Sequence, residues 1–396
     1  MSGYTKHMCD SDTFKAKNDL NKFTRSIITI LPYDYSSETI VELLYKYYPY
    51  EMFLINEKHR YYSDKEKSLT SRGRKSRYNF PSLHSLTKSL SVHNKLISND
   101  YKIQHQQKFD ETKQLENIKT FSIERTPKIK KVVDKIEKAK QKTQQVEPEF
   151  LDSLMGLYDR KNTSQKDKLY IIRELQKYYC PKVIRFFSKK VDTEFNNQLR
   201  EMAFFHLQSL GFQPVLRKQK YMRIPSKNEK RRDFLKNIYM KERYNIKEIP
   251  QELEYRIENS KEQKIKTYDF FISHSSADYS VVQMLVQHLN KNKKNIYCDW
   301  INDNDYLKRH LAGEATLNVI LKRLQQSKEL IFVISENSLK SNWCKYELNE
   351  VYLQKKEIYF IKKEDIETGN FEYSRYKNDW FIDASYKQMN LFEMAT

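Results

Sequence analysis

The sequence predicts an α/β protein: a parallel sheet covered on both faces at the carboxy-terminal end, preceded by a mainly helical, basic amino-terminal region. Three observations carry that reading. After residue 263, short and nearly continuous apolar runs alternate with amphipathic stretches of helical length, the pattern of strands buried on both faces by crossover helices. Before it, apolar residues return at helical spacing within polar surroundings. The charge is also uneven: residues 264–396 carry 19 Lys and Arg against 18 Asp and Glu, so nearly all of the net +20 lies in the first two-thirds.

At 396 residues the chain exceeds the ~100–200 of one ordinary domain, which argues for two or three. Apolar residues reach 39%, with 29 Tyr and 21 Phe, enough for a core despite a mean hydropathy of −0.85; disorder throughout is excluded. The longest apolar run, 330–334, is far short of the ~20 residues a membrane helix needs, so no membrane partner is expected. The first ten residues contain no apolar segment of the secretory kind. Four cysteines without a CxxC pair, and no histidine at metal-ligand spacing, predict a reducing, cytoplasmic location with neither a disulfide framework nor a metal site. There are only 6 glycines, where ordinary usage of ~7% would give about 28. Neither GxxxxGK[ST] nor GxGxxG occurs, which excludes P-loop, kinase and dinucleotide-fingerprint chemistry because the backbone cannot approach a phosphate closely.

Along the chain, SIITIL at 26–31 is followed by a helix over 37–47, which Ser36 or Ser37 caps and whose Ile40, Leu43, Leu44 and Tyr47 share a face. From residue 61 to about 145 the composition turns polar and reads as flexible linker or solvated helix. Helical periodicity resumes at 150–158 and 169–178. A further helix over 194–210 stops at Gly211, and residues 212–224 read as a strand. Basic clusters stand at 217–223 and 227–232. These features divide the chain into an amino-terminal unit (1–115), a charged linker or helix (116–149), a basic α-rich domain (150–262) and the α/β domain (263–396). The basic excess has two readings: a surface for nucleic acid or another polyanion, bound by counterion release, or a solvated lysine-rich surface reflecting an AT-rich genome.

In the α/β domain, strands are expected at 267–273, 295–299, 329–335 and 357–361, with helices at 277–290, 314–326 and 342–354. In such folds ligands bind at the carboxyl ends of the strands. Those ends carry Ser273 and His274, then Asp299 and Trp300. The helix at 342–354 adds Trp343 and, one turn on, Glu347, with Tyr346 beside it. An acid next to an aromatic platform suits a flat cationic heterocycle attached to a sugar.

YDFFISHSSAD at 268–278, SKELIFVIS at 327–335 and SNWCKYEL at 341–348 resemble, in this order, the motifs of the TIR (Toll/interleukin-1 receptor) domain. The resemblance covers about residues 265–365 and implies a flavodoxin-like sheet. In many members it also implies cleavage of the nicotinamide–ribose bond of NAD+, a substrate rather than a cofactor. It places Glu347 at the catalytic position and Phe271, Ser273, His274, Asp299, Trp300, Trp343 and Tyr346 around the substrate. It further implies self-association through this domain and, by analogy with bacterial chains of this organisation, an anti-phage or cell-suicide effector controlled by its amino-terminal region. The loop 300–310 departs from the family pattern, with no proline and its nearest glycine at Gly313, so gating of the site and the choice between hydrolysis and cyclisation stay open. Two other functions compete: a non-enzymatic adaptor working through contacts between TIR domains, and a nucleic-acid-binding sensor.

Each site residue also has a purely structural reading. Glu347 would be an exposed helix carboxylate, Trp343 a core anchor, Phe271 and Ser273 ordinary strand residues, and His274 a hydrogen-bonded strand-end histidine.

Overall fold

The computed structural model describes residues 3–224 and 226–375 and divides the chain into two compact units, residues 1–137 with 208–213, and residues 138–207 with 214–396. The sequence WFID at 380–383, which reads as a last strand or packed tail, lies outside the described residues.

The first unit is helical. Its elements are α1 (Tyr4–Ser26), α2 (Ser37–Tyr47), α3 (Pro49–Thr70), the short helices α4 (Leu83–Lys88), α5 (Ser91–Ile97) and α6 (Asn99–Gln107), and most of the long α7 (Glu111–Gln141). In α2 the Ser36 hydroxyl accepts from the backbone N–H of Glu38 and Thr39, and Thr39 bonds back to Ser36 N, a reciprocal cap that starts the helix where the sequence predicts it. Ile40, Leu44 and Tyr47 are buried, and Leu43 packs partly against the same core. Within SIITIL, Ile28–Ile30 forms a single 3-10 turn, and Ile27, Ile30 and Leu31 enter the core.

The polar stretch 61–145 is largely helical. In α7 the residues Ile118 and Phe121 pack partly on the core, and Arg125 stacks 4.0 Å over the Tyr48 ring while donating to Tyr47 O and to Glu51 Oε1. Charged side chains with long apolar stems thus let a sequence of linker-like composition dock.

Gly211 takes φ +88, and a Cβ there would stand 2.5 Å from Ile136 Cδ1. The left-handed backbone alone costs an L-residue about 1–2 kcal/mol, so Gly211→Ala should lower the unfolding midpoint by at least that free energy in denaturant titration. An unchanged midpoint would refute this reading of the turn.

The second unit opens with α8 (Phe150–Asp159), α9 (Gln165–Gln176), α10 (Pro181–Thr193), α11 (Asn197–Ser209), α12 (Glu229–Lys241), α13 (Pro250–Asn259) and the single turn α14 (Lys261–Lys264). The expected strand at 212–224 is instead coil with a 3-10 turn at Gln219–Tyr221. An apolar run becomes a strand only where another strand's hydrogen bonds receive it, and this segment pairs with none among the described residues.

The remainder is the α/β layer: β1 (Tyr268–Ser273), α15 (Tyr279–Lys291), β2 (Ile296–Tyr297), α16 (Asp299–Asn302), α17 (Glu314–Gln326), β3 (Ser327–Ile334), α18 (Glu336–Lys340), α19 (Asn342–Leu353), β4 (Ile358–Lys362), α20 (Lys363–Glu367) and β5 (Ser374–Arg375). The sheet order is β2-β1-β3-β4-β5, the flavodoxin-like winding. The first four strands are parallel, and β5 joins β4 antiparallel as an edge strand. One face packs Phe270, Ile272, Ile331 and Val333 against Val282, Leu285 and Leu289 of α15; the other packs Phe271, Leu330 and Phe332 against Leu324 of α17 and Leu348 and Val351 of α19. The outer edge of β2 is closed by Gln144, fully buried, whose Oε1 accepts from Ile296 N at 3.1 Å and whose Nε2 donates to Ile296 O. A side-chain amide here takes the place of a neighbouring strand.

Candidate active site

The winding reverses between β1 and β3, and the carboxyl ends of the strands at such a switch point are where sheets of this kind bind ligands. Ser273 is the last residue of β1. Across from it, α19 starts at a cap in which Ser341 Oγ accepts from Cys344 N, and this aims Glu347, one and a half turns on, back toward the sheet. Ser273 Oγ donates to Glu347 Oε2 at 2.6 Å, and both residues are buried, Glu347 being 9% exposed. Burial pushes the Glu347 carboxyl up to about 8; the Ser273 hydrogen bond works against that, and the nearby Asp299 charge adds to it. The carboxyl is therefore protonated at neutral pH in this form. An acid held in this way beside a hydroxyl, at a sheet's carboxyl edge, can give or take a proton near pH 8 and, once ionised, can stabilise positive charge on a bound sugar.

His274 and Asp299 stand on the same edge. His274 Nδ1 lies 3.0 Å from Ile272 O, and because a carbonyl only accepts, Nδ1 carries the proton. Its Nε2 then faces Asp299 Oδ1 at 3.7 Å. Asp299 Oδ1 also accepts from Trp300 N at 2.8 Å, and the Trp300 ring packs on Tyr279 with centroids 4.5 Å apart. Trp300 Nε1 is buried without a hydrogen-bond partner.

The other expected site residues stand apart from this group. Phe271 is a core residue stacked on Tyr297 at 4.9 Å, since alternate residues of β1 face opposite sides and Phe271 points away from Ile272 into the layer under α17 and α19. Tyr346 packs at the margin of that layer. Trp343 is 39% exposed at the start of α19, one turn before Glu347.

Sequence reasoning missed what holds the edge in place. Asp278, buried, accepts from Ser335 Oγ at 2.5 Å and Asn337 Nδ2 at 3.0 Å, tying the loop after β1 to the end of β3. Asp303, four residues beyond Asp299, lies in a fully buried charge network. Arg323 Nε meets Asp303 Oδ2 at 2.8 Å, Lys177 Nζ stands 3.6 Å from Oδ1 and 2.8 Å from Glu174, and Lys266 Nζ meets Glu174 Oε2 at 2.7 Å. Tyr306, in the same loop, is buried with Leu253, Ile257 and Val319. The loop after β2 thus takes its course from side chains anchored in α9, α13 and α17, which is how it does without glycine or proline. Among the described residues no helix is long and apolar enough to cross a membrane.

The family profile described as "TIR domain" matches residues 270–389. The chain is 36% identical over 351 residues to "Putative cyclic ADP-D-ribose synthase TIR2" of Cytobacillus dafuensis, spanning 88% of this chain and 89% of that protein. It is 38% identical over 85 residues to "Probable 3' cyclic ADP-D-ribose synthase ThsB'" of Bacillus cereus, covering 22% of this chain and 44% of the relative. Human Toll-like receptor 2 is 37% identical over 84 residues, 21% of this chain and 10% of the receptor. No solved structure matches significantly. A TIR motif set, a flavodoxin-like winding and a relative aligned along most of both chains converge: this chain belongs to the TIR-domain family.

Proposed function

We propose that the chain cleaves the nicotinamide–ribose bond of NAD+, as a glycohydrolase or ADP-ribosyl cyclase, with Glu347 acting on the ribose. The observation that carries this reading is the Glu347 carboxyl, buried at the switch point and held by Ser273. The printed names of two relatives, both cyclic ADP-D-ribose synthases, support the same reading.

The chemistry asks little of the protein. The C1′–N bond breaks with its electron pair going to the pyridinium, which leaves as neutral nicotinamide, so no general acid is needed. The ribose becomes oxocarbenium-like, and ionised Glu347 stabilises that charge, as a carboxylate does in glycoside cleavage. Water, or a nucleophile of the same ADP-ribose, then bonds to C1′ and releases a proton, which Glu347 is placed to accept. In this reading Ser273, His274, Asp299 and Trp300 surround the sugar, and Trp343 offers a flat face to the ring. Phe271 and Tyr346 support the site from the core.

A constitutive NAD+-consuming enzyme would deplete its own cell, so we assign activation to self-association, controlled by the amino-terminal region, in a defence effector. The test is incubation of NAD+ with the full chain, dilute and then clustered on beads, with chromatographic separation of the products. Nicotinamide should appear together with ADP-ribose or a cyclic isomer, at a rate per chain that rises on clustering. If clustering yields no nicotinamide, the adaptor reading replaces this one.

The pH dependence follows from the carboxyl. Only the ionised form stabilises an oxocarbenium, so kcat/KM should rise with pH and reach half its plateau near the Glu347 value of about 8. Ser273→Ala removes the hydrogen bond that lowers this value and should move the rising limb to higher pH. A limb that stays in place in the variant would show that another group governs the profile.

A further inference from the structure

His274 leaves β1, while Cys298 and Asp299 leave β2, its parallel neighbour in the register Phe270 to Ile296. Cys298 is 24 residues from His274 in sequence, which hides the pair from any spacing rule. In space one ligand atom of each of the three residues lies within 4.8 Å of the other two. His274 Nε2 is 3.9 Å from Cys298 Sγ and 3.7 Å from Asp299 Oδ1. Around a tetrahedral zinc ion, with Zn–N of ~2.0–2.1 Å and Zn–S of ~2.3 Å, donor atoms stand roughly 3.4–3.6 Å apart. The two distances from His274 exceed that span by only a few tenths of an ångström, and the third, from Cys298 to Asp299, stays within 4.8 Å.

Three further features fit a metal. The bond from His274 Nδ1–H to Ile272 O fixes the tautomer that turns the Nε2 lone pair toward the cluster, the arrangement that orients metal-bound histidines. Cys298 is buried and the His274 side chain nearly so, whereas the Asp299 side chain is 53% exposed, which leaves an approach from solvent for the ion and a water ligand. One nitrogen, one sulfur and one oxygen donor favour a borderline-soft ion over magnesium or calcium.

We propose that His274, Cys298 and Asp299 form a binding site for a zinc-class divalent cation, and that its occupancy blocks turnover. The second half rests on the NAD+ reading above. Coordination replaces the Cys298 thiol proton, released to solvent, with a metal–sulfur bond, and no electron is transferred. The bound ion takes Asp299 away from the substrate and places two positive charges beside Glu347 and the cationic ring, which would repel the ring.

The test uses the full chain, stripped with chelator and titrated with Co2+. We expect one equivalent to bind with a thiolate-to-cobalt charge-transfer band and tetrahedral visible bands, all displaced by one equivalent of Zn2+. Cys298→Ala should abolish the charge-transfer band, with Cys298→Ser as the second variant and melting curves for both. His274→Gln should weaken binding at least about tenfold. Cys344→Ala should keep the band. Zn2+ should inhibit NAD+ cleavage by the wild type and spare Cys298→Ala. A missing band, a band that persists without Cys298, or equal zinc inhibition of the variant overturns the proposal. If the wild type cleaves no NAD+ at all, the function proposed above fails, and the cobalt spectra still decide the site.

Discussion

Glu347→Gln is expected to lower nicotinamide release by ~10²–10³-fold or more, the usual loss when a preorganised group facing developing charge is removed. Glutamine keeps the volume of the side chain and can still accept from Ser273 Oγ, so what disappears is ionisation alone. The same substitution makes an opposite prediction for stability. Burial raises the Glu347 carboxyl from its ordinary 4.5 to about 8, so the folded protein holds this proton more tightly than the unfolded chain. The resulting stabilisation is fully present below about pH 4.5 and is lost as pH climbs to about 8, at up to roughly 1.4 kcal/mol for each pH unit. The glutamine variant lacks this dependence. It should melt close to wild type at pH 4 and increasingly above it from pH 6 to pH 9, by thermal denaturation. Catalytic loss with equal or greater stability separates a chemical role from misfolding. Turnover within a few fold of wild type would remove Glu347 from the mechanism.

The second large effect lies away from the chemistry. Asp303→Ala leaves Arg323 and Lys266 fully buried, and Lys177 nearly so, with Glu174 as the only remaining carboxylate of the network. Breaking a buried pair from one side costs about 3–5 kcal/mol, because the surviving charges can neither reach water nor find a partner. We expect the second unit to lose that much stability in denaturant titration, and the loop carrying Asp299 to lose its anchor. Arg323→Lys keeps the charge but not the two-point contact of Nε and Nη2 with Asp303, so its cost should be smaller. Acid should reproduce part of the effect. Burial alone would raise Glu174, but Lys177 and Lys266 outweigh it and hold the carboxyl at about 2. Its contribution is therefore present above its ordinary 4.5 and is lost as pH falls toward 2. If Asp303→Ala unfolds at the wild-type midpoint, the network is not what holds this loop.

The local elements were legible where one segment contains its own instructions. The cap at Ser36, the helix Glu314–Gln326 and the strand Ser327–Ile334 each depend on neighbours within one or two turns or on an unbroken apolar run. The expected strand at 212–224 is coil for the converse reason, and for α7 the composition left linker and solvated helix both open: such a segment's state depends on whether a partner receives it, which composition does not report.

The site divides along the same line. Strand and helix alternation determined a parallel sheet with Ser273, His274 and Asp299 at its carboxyl edge, and the resemblance of the motifs to the family supplied the winding and the place of Glu347. Only the tertiary structure decided which of them meet and in what protonation state: Ser273 with a protonated Glu347, His274 with Cys298 and Asp299, and Phe271 turned into the core. It alone brought Glu174 to Lys266, 92 residues along the chain. Burial and charge pairing are properties of distance in space, and a carboxyl's affinity for its proton is set by what surrounds it after folding.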